Sequence, residues 1–144
     1  MVSERAKKTY ITGTTSLYLT AAELAMRGFV VSVTARNAPG VDLQATSSTM
    51  RTIGIQVKGN HWDSPSQSFW LLSERAKRDS DPSLVYVFVN LRPPGTRPDF
   101  YVVPSAVVAE GLDVDNRRTG STWYTFSRDA QFLEKWELLD AHGR

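Results

Sequence analysis

The apolar run LVYVFVNL at residues 84–91 constrains the fold of this chain more than any other segment. Its β-branched and aromatic residues favour a strand. Because apolar side chains stand at odd and even positions alike, both faces of that strand must be covered by other parts of the protein. The run therefore predicts a central strand, inside a sheet that carries a packed layer on each side.

Helical spacing upstream of this run predicts a first helix over residues 15–27. Thr14, Thr15 or Ser16 can cap it, because a hydroxyl accepts a hydrogen bond from a free backbone N–H of the first turn. The residues before it, rich in Lys and Arg, are expected to form a flexible lead-in. The buried stripe of this helix should consist of Leu17, Ala21, Leu24, Ala25 and Gly28.

Short β-branched segments and turn residues predict the other elements. The first three strands are joined by short turns, so they should form an antiparallel meander. The order of helix, three strands, helix, strand, strand and helix indicates an α/β domain with a mixed central sheet flanked by helices. Strands are expected over residues 29–34, 41–46, 52–58 and 100–103, helical segments over 66–78, 106–110 and 128–139, and a polar loop over 116–122.

Composition sets broad limits on the function. The 144 residues fit one domain, residues 1–144. The absence of cysteine excludes disulfides and thiolate zinc sites and suits a reducing cytoplasm, which is where we expect the protein. The start lacks the apolar core of a secretory signal. A net charge of +2 permits a phosphate-rich partner without demanding one.

Three polar residues, Asp42, Gln56 and Lys58, are expected together on one face of a hairpin. A hairpin centred near Met50 places position 42 opposite 58 and position 44 opposite 56. Directly opposed residues share a face, and side chains along each strand alternate with period two. The other face would hold Val41, Leu43, Ile55 and Val57, where a core can cover them.

This grouping has a chemical use. The Asp42 carboxylate is a hard oxygen ligand for Mg²⁺, and the side-chain carbonyl of Gln56 and the backbone carbonyl of Val57 can add weaker oxygen ligands. The Lys58 ammonium can orient an attacking water or balance phosphate charge. A metal ion polarises a scissile phosphate and helps generate hydroxide near neutral pH. The three side chains are therefore suited to phosphodiester hydrolysis.

The segments PGVD at residues 39–42 and QVK at residues 56–58 resemble the signature of the PD-(D/E)XK nuclease superfamily. In that superfamily an Asp opens one strand, and a Glu-x-Lys or Asp-x-Lys tripeptide lies on its neighbour. The stretch over residues 22–29 is similar to the opening of archaeal Holliday-junction resolvases and restriction-like endonucleases. The segments YVVP at residues 101–104 and WELL at residues 136–139 resemble uncharacterised bacterial domains of this superfamily that carry Gln-x-Lys. The resemblance implies a restriction-endonuclease-like core, with α-β-β-β-α-β order and a C-terminal extension.

The same resemblance implies an activity and its requirements. It implies a DNA endonuclease that uses Mg²⁺ or Mn²⁺, with Asp42, Gln56, Lys58 and Glu23 at the catalytic centre. An acidic residue on the first helix is a recurrent extra ligand in the superfamily, and Glu23 fits that position. Relatives often act as dimers, so a homodimer is expected. Gln56 departs from the usual carboxylate; an amide brings no charge, so metal should bind less tightly.

Other interpretations of these residues remain open at the level of sequence. Asp42 after Pro-Gly is also a common turn residue. Glu23 and Arg27 have the spacing of an exposed helix ion pair. A catalytically weakened nucleic-acid-binding module, or a protein-interaction module, is the alternative to an enzyme. Contacts to DNA phosphates are expected from Arg36, Arg75, Lys77 and Arg78, although a solvated face is the ordinary explanation of the last three.

Overall fold

Strands and helices alternate along the structure, a computed structural model that describes residues 2–35 and 40–140. Three 3₁₀ turns cover Glu74–Lys77, Ala130–Phe132 and Trp136–Leu139. The helices are α1 (Glu4–Met26) and α2 (Ser105–Glu110). The strands are β1 (Val30–Val33), β2 (Leu43–Thr46), β3 (Thr52–Asn60), β4 (Phe69–Leu72), β5 (Leu84–Asn90), β6 (Asp99–Pro104), β7 (Asp113–Asn116) and β8 (Thr122–Ser127).

The central sheet has the order β1-β2-β3-β5-β6. Strands β1, β2 and β3 form the expected antiparallel meander, β3 pairs with β5 in parallel, and β5 pairs with β6 antiparallel. Strand β5 lies between two neighbours, and residues 85–91 are all buried. The predicted mixed α/β fold with a central apolar strand is therefore confirmed.

Two apolar cores cover the two faces of this sheet. On one face, α1 and the Trp136–Leu139 turn pack over side chains such as Leu43, Ile55 and Val87. On the other face, a second sheet of order β4-β8-β7 packs with α2 over side chains such as Tyr86 and Phe88. Odd-numbered residues of β3 and β5 thus point to the first core and even-numbered residues to the second, as the two-residue period of a strand requires.

Helix α1 begins much earlier than the sequence indicated. The expected lead-in is helical from Glu4, because the Ser3 side chain accepts a hydrogen bond from the Ala6 amide at 3.1 Å and caps the first turn. Two members of the expected buried stripe, Ala25 and Gly28, are exposed instead. Among residues 2–35 and 40–140, no helix has the length and apolar character needed to cross a bilayer.

The second half of the chain contains more β-structure than predicted. The segment expected to be partly helical, residues 66–78, forms β4 and a single 3₁₀ turn. The expected polar loop over residues 116–122 is the turn of the β7–β8 hairpin, where Arg117 N–H donates to the Ser121 carbonyl at 2.8 Å. The high content of aromatic and β-branched residues in Thr122–Ser127 is the sequence signal for β8.

The predicted closing helix over residues 128–139 is also wrong. Two 3₁₀ turns replace it, because the segment between them is held by strand β6. Leu133 forms a bridge with Tyr101, and Glu134 N–H donates to the Phe100 carbonyl at 2.8 Å. Glu134 consequently adopts a positive φ of 56°, which no α-helix accommodates. Trp136 is nevertheless buried in the first core, as its apolar character predicted.

Close contact between α1 and β3 fixes the strand that carries Gln56 and Lys58. A Cβ at Gly59 would lie 1.9 Å from the Ser16 hydroxyl oxygen and 2.8 Å from the Ser16 Cβ. Ser16 is fully buried, and its hydroxyl donates to the Thr12 carbonyl at 2.7 Å. The helix can approach the strand this closely only because one residue is glycine and the other is small.

We expect Gly59→Ala to destabilise the protein by about 2–3 kcal/mol, because the added methyl forces α1 away from β3. Gly13→Ala is the matched control on the exposed side of α1, where a Cβ meets nothing within 4 Å. That control should stabilise the helix by about 0.5–1 kcal/mol. Urea unfolding of the three proteins measures both effects, and equal midpoints for Gly59→Ala and wild type would contradict the close contact.

Candidate active site

The β2–β3 hairpin has a different register from the predicted one but keeps the predicted face. Gln44 lies opposite Gly54 and Leu43 opposite Ile55, so the hairpin is centred at residue 49. The ladder ends at the pair Leu43 and Ile55, and Asp42 lies just beyond it, so position 42 is not paired with position 58 as predicted. A shift of two residues leaves every side chain on its own face, whereas a shift of one would invert them all. Gln56 and Lys58 accordingly share the face that carries Tyr86 and Phe88.

Gln56 and Lys58 line the same small cavity, of about 60 Å³, between the central sheet and the Glu74–Lys77 turn. Gly40, Arg75, Asp79 and Tyr86 are also part of its wall. The structure thus brings two of the predicted residues together, with further polar groups around them.

The side-chain carbonyl oxygen of Gln56 has unusual surroundings. Oε1 is buried, and it finds no hydrogen-bond donor within the described parts of the chain. A buried acceptor left without a partner costs about 1–3 kcal/mol, so folded proteins retain few of them. An oxygen of this kind, beside a small polar cavity, is suited to a cation or to a donor that arrives with a ligand.

Asp42 lies next to this pair but is turned toward the strand backbone. Its Oδ2 accepts a hydrogen bond from the Val57 amide at 2.8 Å, just beyond the end of β2. The carboxylate is therefore one peptide unit from Gln56, although Asp42 is not part of the wall of the 60 Å³ cavity. Its neighbour Val41 breaks the expected alternation and packs against Gly54, on the face opposite Leu43.

Asp79 is a carboxylate in the cavity wall that the sequence interpretation did not select. Its Oδ2 accepts a hydrogen bond from Arg75 Nε at 3.0 Å, and it lies near Gly40. The spacing of Arg75 and Asp79 is that of an ordinary ion pair on a helix, so the sequence alone gave no reason to prefer it. The structure places a negative charge where Gln56 itself supplies none.

Tyr86 also faces this cavity. Burial raises the pKa of its phenol, the Asp79 carboxylate raises it further, and Arg75 opposes the shift. Tyr86 is therefore a neutral hydroxyl at physiological pH, and the nearby Asp79 and Arg75 are the charges that act on it.

The basic residues predicted to contact phosphates differ in position. Arg75 and Arg78 border an open cleft of about 540 Å³, which shares Gly40, Arg75 and Asp79 with the small cavity. Lys77 is exposed on the same 3₁₀ turn. Arg36 lies outside the described residues. Two of the four predicted cations thus line a cleft that shares wall residues with the cavity of Gln56 and Lys58.

Glu23 is held in a different part of the protein. Its carboxylate is nearly buried on α1, where Arg97 donates to it at 2.5 Å and Arg27 at 3.4 Å. The hydrogen bond from Arg97 is the main reason why the pKa of Glu23 is lowered, with burial opposing and Arg27 assisting. Helix α1 covers the sheet face opposite Gln56 and Lys58. The structure therefore does not bring Glu23 to the other three residues.

The oxygen donors near the cavity are carboxylate and amide oxygens, which are the kinds of ligand that magnesium takes in proteins. Within residues 2–35 and 40–140, no three His, Cys, Asp or Glu side chains are close enough to form a metal site by themselves. Mg²⁺ is commonly held by one or two carboxylates together with water and substrate phosphates. The partnerless Gln56 oxygen and the nearby Asp42 and Asp79 carboxylates suit that kind of site.

Comparison with known proteins shows a nuclease-like fold. No family model matches the chain, and no curated protein matches it by sequence. A solved structure does match by fold: that of a bacterial homing endonuclease, I-Ssp6803I, with a TM-score of 0.59. The match covers 99% of this chain and 95% of the other, at 16% sequence identity. At that identity the likeness concerns the fold and leaves the chemistry of the site to be argued from the residues.

We expect Glu23→Gln to lower stability at neutral pH by about 1–2 kcal/mol, less than for a fully buried pair because water screens the half-exposed Arg97. Folding lowers the pKa of Glu23 below its ordinary 4.5, so this stability is present above that pH and lost as the pH falls through the folded-state pKa. The difference in free energy of unfolding between Glu23→Gln and wild type should therefore become smaller in acid.

Urea unfolding at a series of pH values between neutrality and about pH 3 measures this difference. Glu110→Gln, at an exposed position on α2, is the matched control and should change little. If the free energies of unfolding of Glu23→Gln and wild type differed by the same amount at every pH down to acid, the carboxylate charge would contribute nothing to stability.

Proposed function

We propose that this chain is a metal-dependent endonuclease of the PD-(D/E)XK type, a single domain that hydrolyses phosphodiester bonds in DNA. The observation that carries the proposal is that Lys58 and Gln56 line one cavity and that the side-chain oxygen of Gln56 has no hydrogen-bond partner among residues 2–35 and 40–140. The nuclease-like fold supports it. Asp42 and Asp79 supply carboxylates next to this pair.

Each residue has a distinct role in this proposal. Asp42 and Gln56 would hold Mg²⁺ or Mn²⁺, with Asp79 and the Val57 carbonyl as further oxygen donors. When bound, the ion would polarise the scissile phosphate and lower the pKa of a water molecule. The Lys58 ammonium would orient the attacking water and balance the charge that develops on the phosphate. Asp42 could keep its hydrogen bond from the Val57 amide on Oδ2 and offer Oδ1 to the ion.

The open cleft provides the route for the substrate. Arg75 and Arg78 border it, and Lys77 is exposed beside them. Guanidinium groups pair well with phosphate oxygens, and contacts of this kind make binding dependent on salt and weakly dependent on sequence. Arg75 would leave Asp79 when it binds a phosphate, which would free the Asp79 carboxylate for the ion. Arg36 is proposed as a further contact.

A binding module without cleavage is the second candidate, and the chemistry of Gln56 favours it. An amide contributes no charge, and one oxygen of the Asp42 carboxylate already accepts a hydrogen bond from the Val57 amide. In that case the cleft would hold DNA in a salt-dependent manner, and divalent ions would produce neither heat of binding nor cleavage. A protein-interaction module would show no nucleic-acid binding at all.

Lys58→Ala should reduce plasmid nicking in Mg²⁺ or Mn²⁺ by at least about 100-fold, because it removes the cation that stabilises the transition state. The control is Lys135→Ala, an exposed lysine in the C-terminal segment, which should cleave like wild type. Gel shifts run in parallel should show that Lys58→Ala still binds DNA. Equal nicking by the two variants would rule out Lys58 as a catalytic residue.

Gln56→Glu should bind Mn²⁺ about tenfold more tightly, or better, because it adds a negative charge beside the ion. Gln44→Glu is the matched control: it makes the same charge change at an exposed position on the neighbouring strand. Its effect on affinity should be much smaller. Calorimetric titration with manganese chloride provides the comparison, and equal affinities for Gln56→Glu and wild type would exclude Gln56 as a ligand.

A further inference from the structure

The hairpin of β7 and β8 projects from the protein at its tip. All residues from 113 to 123 are exposed, and β7 is an edge strand of the smaller sheet. The pairing of β8 with β4 ends where Tyr124 lies opposite Leu72. From Tyr124 to Ser121 the two-stranded ribbon therefore runs free of β4 for about 10 Å, at about 3.4 Å per residue. Side chains on both of its faces are open to solvent there.

Hydrogen bonds give this exposed tip a defined conformation. Arg117 N–H donates to the Ser121 carbonyl at 2.8 Å, and Gly120 N–H donates to the Arg117 carbonyl at 3.0 Å. Gly120 has a φ of 85°, which glycine adopts without strain. The Thr122 hydroxyl donates to Asn116 Oδ1 at 3.0 Å across the last pair of the ladder. Because the backbone of the tip is ordered before a partner binds, less entropy is lost on binding.

The tip, meaning residues 116–122, carries two cations and no anion. Its sequence is NRRTGST, so every side chain in it is a hydrogen-bond donor, glycine aside. The Arg117 guanidinium lies over the Trp123 ring, 3.9 Å from the ring centroid, and pairs with Asp115 at 2.9 Å. In the part of the chain that the structure describes, Arg118 has neither a hydrogen-bond nor an ion-pair partner. One arginine of the tip is thus held in place, and the other is free to bind a ligand.

The hairpin leaves the protein at the end of β4 that lies beside the candidate active site. Leu72 of β4 lines the cavity that also contains Gln56 and Lys58. Leu72 is opposite Tyr124, and the chain continues from it into the 3₁₀ turn that carries Arg75. Because β8 is antiparallel to β4, the free part of the hairpin extends past Leu72 in the direction of that turn. The tip therefore projects from the same side of the molecule as the cleft.

We propose that the tip of the β7–β8 hairpin enters the major groove of duplex DNA and that Arg118 contacts base edges there. The major groove is about 12 Å wide and about 8.5 Å deep, and it admits a two-stranded β-ribbon. The free length of the ribbon, about 10 Å, matches that depth. Arginine pairs best with guanine, through two hydrogen bonds to O6 and N7. The proposal rests on the DNA binding of the proposed function and adds a sequence preference, which phosphate contacts cannot supply.

The carboxylates of the hairpin lie outside the inserted tip. Asp115 is paired with Arg117, and Asp113 is further from the tip, where it accepts a hydrogen bond from the Ser127 hydroxyl at 3.1 Å. The end that would enter the groove is therefore positive. A groove flanked by two phosphate strands attracts a positive end.

Selection from duplex oligonucleotides with a randomised centre tests whether the protein reads bases, with Ca²⁺ in place of Mg²⁺ to limit cleavage. Wild type should enrich a sequence that contains a guanine whose replacement weakens binding by about 5- to 150-fold. Arg118→Ala should lose this discrimination, yet its affinity for an unrelated duplex should fall by no more than about threefold. Arg5→Ala is the control, because it removes the same charge from an exposed position on α1, which covers the opposite face of the central sheet. It should discriminate like wild type.

A base analogue tests whether the contact of Arg118 is direct. 7-Deazaguanine lacks the N7 acceptor in the major groove, so placing it at the selected guanine should weaken binding by wild type. Arg118→Ala should bind the modified and the unmodified duplex equally, because the contact is already lost. Equal losses for the variant and wild type would overturn the assignment of Arg118.

The nicking assays separate this proposal from the nuclease assignment. If wild type nicks DNA but enriches no sequence, or if Arg118→Ala keeps the discrimination, the hairpin proposal is overturned and the nuclease assignment stands. If discrimination depends on Arg118 but no cleavage occurs, the hairpin proposal stands and the nuclease assignment fails. Absence of duplex binding by wild type would overturn both.

Discussion

Strand β3 is the part of the structure on which the candidate site depends, and its backbone is held from three directions. Strand β5 pairs with it in parallel along seven residues, from Gly54 to Asn60. Helix α1 packs closely against Gly59, and the Asp42 carboxylate binds the Val57 amide where β2 ends. A strand fixed in this way has no freedom to rotate. Its two-residue period therefore sends Gln56 and Lys58 to one face, while Ile53 and Ile55 enter the opposite core.

The sequence predicts this part of the fold well, because the relevant signals are local. Apolar content identified the central strand, and turn residues separated the meander strands. The hairpin register was wrong by two residues, yet the face of Gln56 and Lys58 was right, since a slip of two preserves the alternation. The two-residue alternation along the strands could not predict the position of the Asp42 side chain. It lies just outside β2, and its hydrogen bond to Val57 is a tertiary contact that no spacing rule contains.

Contacts between segments far apart in the sequence account for the other differences between the predicted and the observed structure. Helix spacing identified the ion pair of Glu23 with Arg27, but it could not identify the pair with Arg97, which is 74 residues away. The C-terminal segment has helical periodicity, but its pairing with β6 at Leu133 and Glu134 overrides that preference. Asp79 reaches the cavity because β4 and a 3₁₀ turn replace the helix expected there. The Glu74–Lys77 turn and Leu72 of β4 thereby form part of the wall of the cavity that Gln56 also lines.

The central claim is that the buried side-chain oxygen of Gln56, which finds no donor among residues 2–35 and 40–140, is a cation ligand beside Lys58. Crystals soaked in Mn²⁺ and measured at the manganese absorption edge test it most directly. The account predicts an anomalous peak in contact with Gln56 Oε1 and with an oxygen of Asp42 or Asp79, and its loss in crystals of Gln56→Ala. A peak that survives that substitution, or manganese bound only elsewhere on the protein, would contradict the account.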